Sequence, residues 1–175
     1  KFEKINYFIE SIDDFLDVDQ DDRTLQHILK TGIRDGGQWD MFVSLIEKYG
    51  IMPKEFMVET TSSEGTHFMN QIINVKLRQY AARARYLSHQ GQKGKIQALK
   101  DETLDALFTF LQTNFGTFPE TFTFEFKNKE GIQTLKETTP QAFYLNEVGN
   151  VLKDYVSIIH APRINHIYIV ILSLI

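Results

Sequence analysis

The sequence predicts an α+β fold that is mostly helical. Three observations predict it. Apolar residues recur at helical spacing through most of the chain up to Gly116, strict alternation appears at Thr121-Phe-Thr-Phe-Glu-Phe126, and glycine-bearing turns separate the segments.

The first helix is expected from Phe2 to Ile12, where Phe2, Ile5, Phe8, Ile9 and Ile12 share a face. Asp13, Asp14, Asp17, Asp19, Asp21 and Asp22 then form an acidic loop. Its last aspartate is placed to cap a short helix over Thr24 to Lys30. Gly32 and the pair Gly36-Gly37 break the pattern. Gln38 to Tyr49 reads as an amphipathic helix with Trp39, Phe42, Val43 and Ile46 on one face, and Gly50 suits the position just past its end. Ile51 to Val58 is extended, because Pro53 disfavours helix before it.

A long helix follows from about Glu64 to His89, capped by Ser62 or Ser63. Phe68, Ile72, Val75, Gln79 and Ala82 are expected on its inner face, with Tyr80, Ala84 and Leu87 extending it. The turn Gly91-Gln-Lys-Gly94 joins it to a helix over Lys95 to Asn114, lined by Leu99, Leu107, Phe110 and Leu111. Two helices joined this way should form an antiparallel hairpin. Alternation then places Phe122, Phe124 and Phe126 on one face of a strand. Lys127 to Gly131 turns, and Ile132 to Leu135 returns as its partner. Thr139 caps a helix with Pro140 at its first position, carrying Phe143, Tyr144 and Val148. Tyr155 to Ile159 reads as a buried strand.

Composition excludes several classes. The 175 residues are 42% hydrophobic and 24% charged, a globular balance. There is no cysteine, which excludes disulfides, thiolate metal sites and a cysteine nucleophile within these residues. The apolar run Ile167 to Ile175 has nine residues, against about 20 for a membrane span, so no membrane partner is expected. Both ends look cut: the helical pattern is already running at Lys1 without a capping residue, and the other end stops inside an apolar run.

Charge is uneven. Residues 1–64 hold 14 acidic and 7 basic residues, whereas residues 65–100 hold Lys76, Arg78, Arg83, Arg85, Lys93, Lys95 and Lys100 and no acid. The plain reading is a solvated helical face that meets acidic partners. The functional alternative is a phosphate-binding surface, hence a weak expectation of nucleic acid.

No phosphate-binding glycine loop, Gly-x-Ser-x-Gly or His-Glu-x-x-His occurs. His160 and His166 have no carboxylate between them to make a metal site, and no cofactor is expected. The most informative segment is Arg34-Asp-Gly-Gly-Gln-Trp-Asp40. Bare glycines before a helix form a tight turn, or they allow a ligand to approach the backbone closely.

This segment resembles the bleomycin hydrolase and aminopeptidase C family, a branch of the papain-like cysteine peptidases. Lys1 to Ile12, Met69 to Arg78, Pro119 to Phe126, Thr139 to Tyr144 and Asp154 to Pro162 are similar to family segments in the same order. The resemblance covers about residues 1–162, and Arg163 to Ile175 reads as a diverged or frameshifted tail.

The resemblance implies a partial papain-like fold. Residues 1–63 would belong to its helical half, 64–118 to a helical-hairpin insertion, and 119–175 to the start of the β-containing portion. It implies a cytoplasmic enzyme that needs no metal, assembles as a homohexamer and releases N-terminal residues from peptides. Gly36 and Gly37 match the glycine pair that hydrogen-bonds the substrate backbone, and Asp35 and Trp39 flank it as weaker substrate-binding candidates. The family's nucleophilic cysteine and oxyanion-hole glutamine would lie before Lys1, and its histidine and asparagine beyond Ile175. No catalytic residue is therefore expected in this chain, which would be inactive alone. The alternative is a non-catalytic module that binds a peptide or nucleic acid on the same scaffold.

Overall fold

The computed structural model describes residues 1–134, 137–149 and 151–155. The chain divides into two compact units. One comprises Lys1–Asp35 with Glu59–Thr117, the other Gly36–Val58 with Phe118–Ile175.

The first unit is helical. It contains α1 (Phe2–Asp13), α2 (Arg23–Thr31), a single-turn α4 (Thr61–Glu64), α5 (His67–His89) and α6 (Ile96–Phe115). Helix α1 sits against α2, α5 and α6 because its apolar residues fall on one stripe, and Ile5, Ile9 and Ile12 are fully buried. Each such side chain stabilises the fold by about 1.5–3 kcal/mol. Helix α2 starts as expected: one Asp22 carboxylate oxygen accepts from the Thr24 and Leu25 amides, both at 2.9 Å.

Two details of the long hairpin differ from the sequence reading. Ser62 and Ser63 do not cap α5. Thr60 and Ser63 instead form a reciprocal capping box on α4, Gly65 and Thr66 interrupt, and α5 starts at His67. The inner face of α5 is also not the expected one. Met69, Ile73, Leu77, Tyr80, Ala81 and Ala84 are buried, while Phe68, Ile72 and Val75 face solvent. Tyr80 and Ala84 are buried as expected.

The buried stripe carries polar anchors to the acidic loop. Tyr80 donates to Asp13 Oδ1 at 2.5 Å, and burial is the main cause that pushes its phenol far up. Ser88 donates to Asp17 Oδ1 at 2.5 Å. Arg85 donates to the Phe15 carbonyl and, at 2.7 Å, to that of Val18. Lys93 pairs with Asp17 at 2.5 Å and Lys100 with Asp13 at 3.2 Å. Lys93 and Lys100 of the basic hairpin thus meet acidic side chains inside the same unit.

The second unit holds α3 (Trp39–Tyr49), a 3-10 turn (Lys54–Phe56), the antiparallel pair β1 (Glu125–Asn128) and β2 (Gly131–Thr134), and α7 (Pro140–Phe143), which runs into a π-helical turn (Tyr144–Val148). The hairpin closes through the expected turn, with Asn128 opposite Gly131. The strand expected from Thr121 is interrupted: Phe122 pairs with Thr138 in an isolated bridge, and the regular ladder begins at Glu125. Aromatic packing replaces the sheet there. Phe143 meets Phe122 and Phe124 edge-on at 5.3 and 5.2 Å, and Phe56 meets Phe122 at 4.8 Å.

Thr139 Oγ1 accepts from the Ala142 amide at 3.2 Å, the cap expected ahead of Pro140. Helix α3 packs on α7. Only Ile46 of its four expected inner residues is buried; Trp39 and Phe42 are exposed and Val43 is half-buried. Gly50 ends α3 with φ +73°, its amide donating to the Ile46 carbonyl at 2.7 Å. The strand expected over Tyr155 to Ile159 lies outside the described residues after Tyr155, as does the run Ile167 to Ile175.

Candidate functional site

The segment that leads to the glycine pair is fixed by side chains of α5 within the first unit. Asn70, Asn74 and Arg78 recur every four residues, so they share one side of the helix. Arg78 Nε donates to the Leu29 carbonyl at 2.9 Å. The Asn74 carboxamide clamps Ile33 at both ends of its backbone. Its Oδ1 accepts from the Ile33 amide at 2.7 Å, and its Nδ2 donates to the Ile33 carbonyl at 3.1 Å. Asn70 Nδ2 donates to Asp35 Oδ2 at 2.9 Å. The helix therefore grips the chain at Leu29, Ile33 and Asp35 in turn.

Asp35 accepts three side-chain donors. The Lys1 ammonium binds Oδ1, while Thr66 Oγ1 at 2.5 Å and Asn70 bind Oδ2. Lys1 also donates to Asn70 Oδ1 at 2.6 Å, which closes the network. Hydrogen bonds from Lys1 and then Thr66 hold the Asp35 carboxyl at about 2. Both oxygens are engaged, so the group acts as an anchor for the loop.

Gly36 and Gly37, in the second unit, are both exposed but differ in what they require. Gly36 has φ +79°, a conformation that favours glycine whatever surrounds it. A Cβ there would meet nothing within 4 Å. Gly37 has no such backbone requirement. A Cβ there would lie 3.7 Å from Met41 Sδ and 3.9 Å from its Cβ, which is ordinary contact. The turn explains glycine at 36; the described residues supply no steric or conformational reason for it at 37. Trp39 opens α3, with its ring 5.6 Å from Phe42 and 6.1 Å from Tyr155. An exposed backbone flanked by an aromatic side chain can hydrogen-bond an extended chain while giving it an apolar surface.

Among the described residues no cluster of three His, Asp or Glu could hold a metal ion. No described helix is long and apolar enough to cross a membrane. Sequence reasoning missed Asn70, Asn74 and Thr66. The four-residue spacing of polar residues was the available signal for the two asparagines, although such spacing also marks a solvated face.

The model of the Peptidase C1-like family matches residues 1–174. The chain belongs to this family. Aminopeptidase C of Lactococcus lactis subsp. lactis is 42% identical over 168 residues, covering 96% of this chain and 38% of the relative. Human bleomycin hydrolase is 36% identical over 177 aligned positions, with the same two shares. The crystal structure of PepW from Lactobacillus rhamnosis HN001 superposes with a TM-score of 0.88 at 40% identity, over 95% of this chain and 38% of that one. The chain thus spans well under half the length of these Peptidase C1-like relatives.

Proposed function

We propose that this chain is the substrate-positioning part of a cysteine-type aminopeptidase. The backbone at Gly36 and Gly37 would hydrogen-bond an extended peptide whose N-terminal residue is released. Gly37 carries this reading: its glycine identity is required neither by φ nor by a close neighbour, which leaves approach of a ligand to the backbone as the physical reason for a missing side chain. The names of the relatives supply the reaction class.

In that class a thiolate attacks the peptide carbonyl and an imidazole manages the proton. The 175 residues contain no cysteine, so a nucleophile would come from sequence outside them, and the chain alone would not turn over peptide. In the test, the purified chain is offered an aminoacyl fluorogenic substrate while the Gly36 and Gly37 amides are followed by NMR during titration with a short peptide. Shifts at both amides without turnover are expected. Turnover by the chain alone would overturn the inactivity, and unmoved glycine amides would overturn the positioning role.

A further inference from the structure

Every aspartate and asparagine of the chain is followed by a residue that carries a side chain, except Asp35, which precedes Gly36. Glycine matters there for a covalent reason. The amide nitrogen that follows an aspartate can attack the side-chain carbonyl carbon, and a side chain on the attacking residue would crowd that approach. A C–N bond forms as the carboxyl hydroxyl leaves as water with the amide proton, and a five-membered cyclic imide results. Water then opens the ring at either carbonyl. Opening at the main-chain carbonyl yields isoaspartate, in which the backbone runs through Cβ and Cγ and is one carbon longer. One water is released and one consumed, so no co-reactant is needed.

Ring closure has two requirements. Cγ has to reach the Gly36 nitrogen, and the carboxyl has to be protonated, because a carboxylate is a poor electrophile with no hydroxyl to lose. The structure opposes both. Lys1 Nζ binds Oδ1, while Thr66 Oγ1 at 2.5 Å and Asn70 Nδ2 at 2.9 Å bind Oδ2. Lys1 is itself fixed by Asn70 Oδ1 at 2.6 Å. Bringing Cγ to bonding distance of the next nitrogen moves both oxygens away from where these donors hold them. The same bonds favour the ionised form: a carboxyl held at about 2 rather than the ordinary 3.8 is protonated more than tenfold less often at neutral pH. The residues just ahead are held as well. Lys4 Nζ donates to the Arg34 carbonyl at 2.7 Å, and Asn74 clamps Ile33.

We propose that the Asp35–Gly36 link is a latent isomerisation site, held closed by the side chains of Lys1, Thr66 and Asn70. While the network stands, the link persists as an ordinary peptide bond. Where a donor is lost, Asp35 converts to isoaspartate, and the extra carbon falls directly ahead of Gly36 and Gly37. The chemistry does not depend on whether peptide binds the glycine pair.

In the test, isoaspartate formation at Asp35 is followed in the intact chain and in a capped peptide, Ile33 to Trp39, at about pH 5, where an ordinary aspartate is still partly protonated. The readout is the fraction of that bond resisting a protease that cuts before aspartate but not before isoaspartate, located by mass spectrometry. The intact chain should convert at least tenfold more slowly than the peptide, and in urea the two rates should agree. Lys1→Met, Thr66→Val and Asn70→Ala should each speed conversion several-fold while circular dichroism stays unchanged. Asn74→Ala is the control: it loosens Ile33 without touching the Asp35 carboxyl, so it should speed conversion less than Asn70→Ala. A folded chain that converts as fast as the peptide would overturn the proposal. So would folded variants of all three donors that convert at the rate of the unaltered chain. An Asn74→Ala rate equal to that of Asn70→Ala would also overturn it, since loosening of the loop rather than release of the carboxyl would then set the rate.

Discussion

The Asn74 carboxamide fills the space that a side chain on Gly32 would need: a Cβ there would lie 2.4 Å from Asn74 Oδ1. Gly32 also has φ +57° and ψ −152°, a region populated almost only by glycine. The two residues act on the same stretch, since Asn74 holds Ile33 by both its amide and its carbonyl.

Gly32→Ala should therefore cost more than 2 kcal/mol, from strain and collision together. Asn74→Ala should cost about 1–3 kcal/mol, because it strands polar groups at the buried Ile33. The double variant should cost less than the sum, as the collision is present only when both side chains are. Urea denaturation of the four proteins measures this coupling; strict additivity would contradict it.

Acid should loosen the anchor at Asp35. Its carboxyl is held at about 2 by Lys1, Thr66 and Asn70, below an unfolded value of about 3.9. A depressed carboxyl contributes stability that is fully present above the unfolded value and is lost as pH falls through the folded one. The window is thus about pH 4 down to pH 2. Asp17 adds in the same direction, lowered by hydrogen bonds from Lys93 and Ser88. Asp35→Asn should flatten part of the slope of stability against pH below 4 and leave the slope above pH 5 unchanged. Thermal melts across that range read the difference.

Substitution should separate the two candidate site glycines. Gly36→Ala places a side chain at φ +79° and should lower stability by about 1 kcal/mol. Gly37→Ala meets only ordinary contact with Met41 and should leave the melting temperature within a degree or two, while weakening peptide binding at least tenfold. A Gly37→Ala protein that bound peptide normally would remove the reason given for glycine there.

Among the described glycines of the second unit, Gly50 comes closest to another backbone. A Cβ there would lie 2.1 Å from the Pro140 carbonyl carbon, and the φ is +73°. The Ile51 amide donates to the Pro140 carbonyl at 3.1 Å, and Gln141 Nε2 donates to the Lys48 carbonyl at 2.6 Å. Gly50→Ala must push α7 away from the end of α3 and break both bonds. The expected loss exceeds 3 kcal/mol, with hydrogen exchange rising first at the Ile51 amide.

Much of the element order was legible because it depends on local chemistry. The apolar period of α1, the Asp22 cap, the hairpin turn before Gly131, the Thr139 cap and Gly50 all declare themselves within a few residues. The face of α5 was not legible. Its sequence carries two apolar stripes, Met69-Ile73-Leu77 and Phe68-Ile72-Val75, and periodicity cannot say which one meets α1. The neighbour decides: Tyr80 and Ser88 on the first stripe find Asp13 and Asp17 more than 60 positions earlier in the chain. At the candidate site, the glycine pair was visible as a motif. Asn70 and Asn74 were not, because their partners lie 35 and 41 residues away and an exposed helix would show the same polar spacing.

The grip of Asn70, Asn74 and Arg78 on Asp35, Ile33 and Leu29 also fixes a length. A residue inserted between Asn70 and Arg78 would turn the later rungs by about 100° and shift them by about 1.5 Å relative to the earlier ones. At least one grip would then swing off its target while the helix itself remained intact. The turn Gly91-Gln-Lys-Gly94 is tied to the acidic loop at one exposed point, the Lys93–Asp17 pair, so homologous chains should vary in length there more readily than between Asn70 and Arg78.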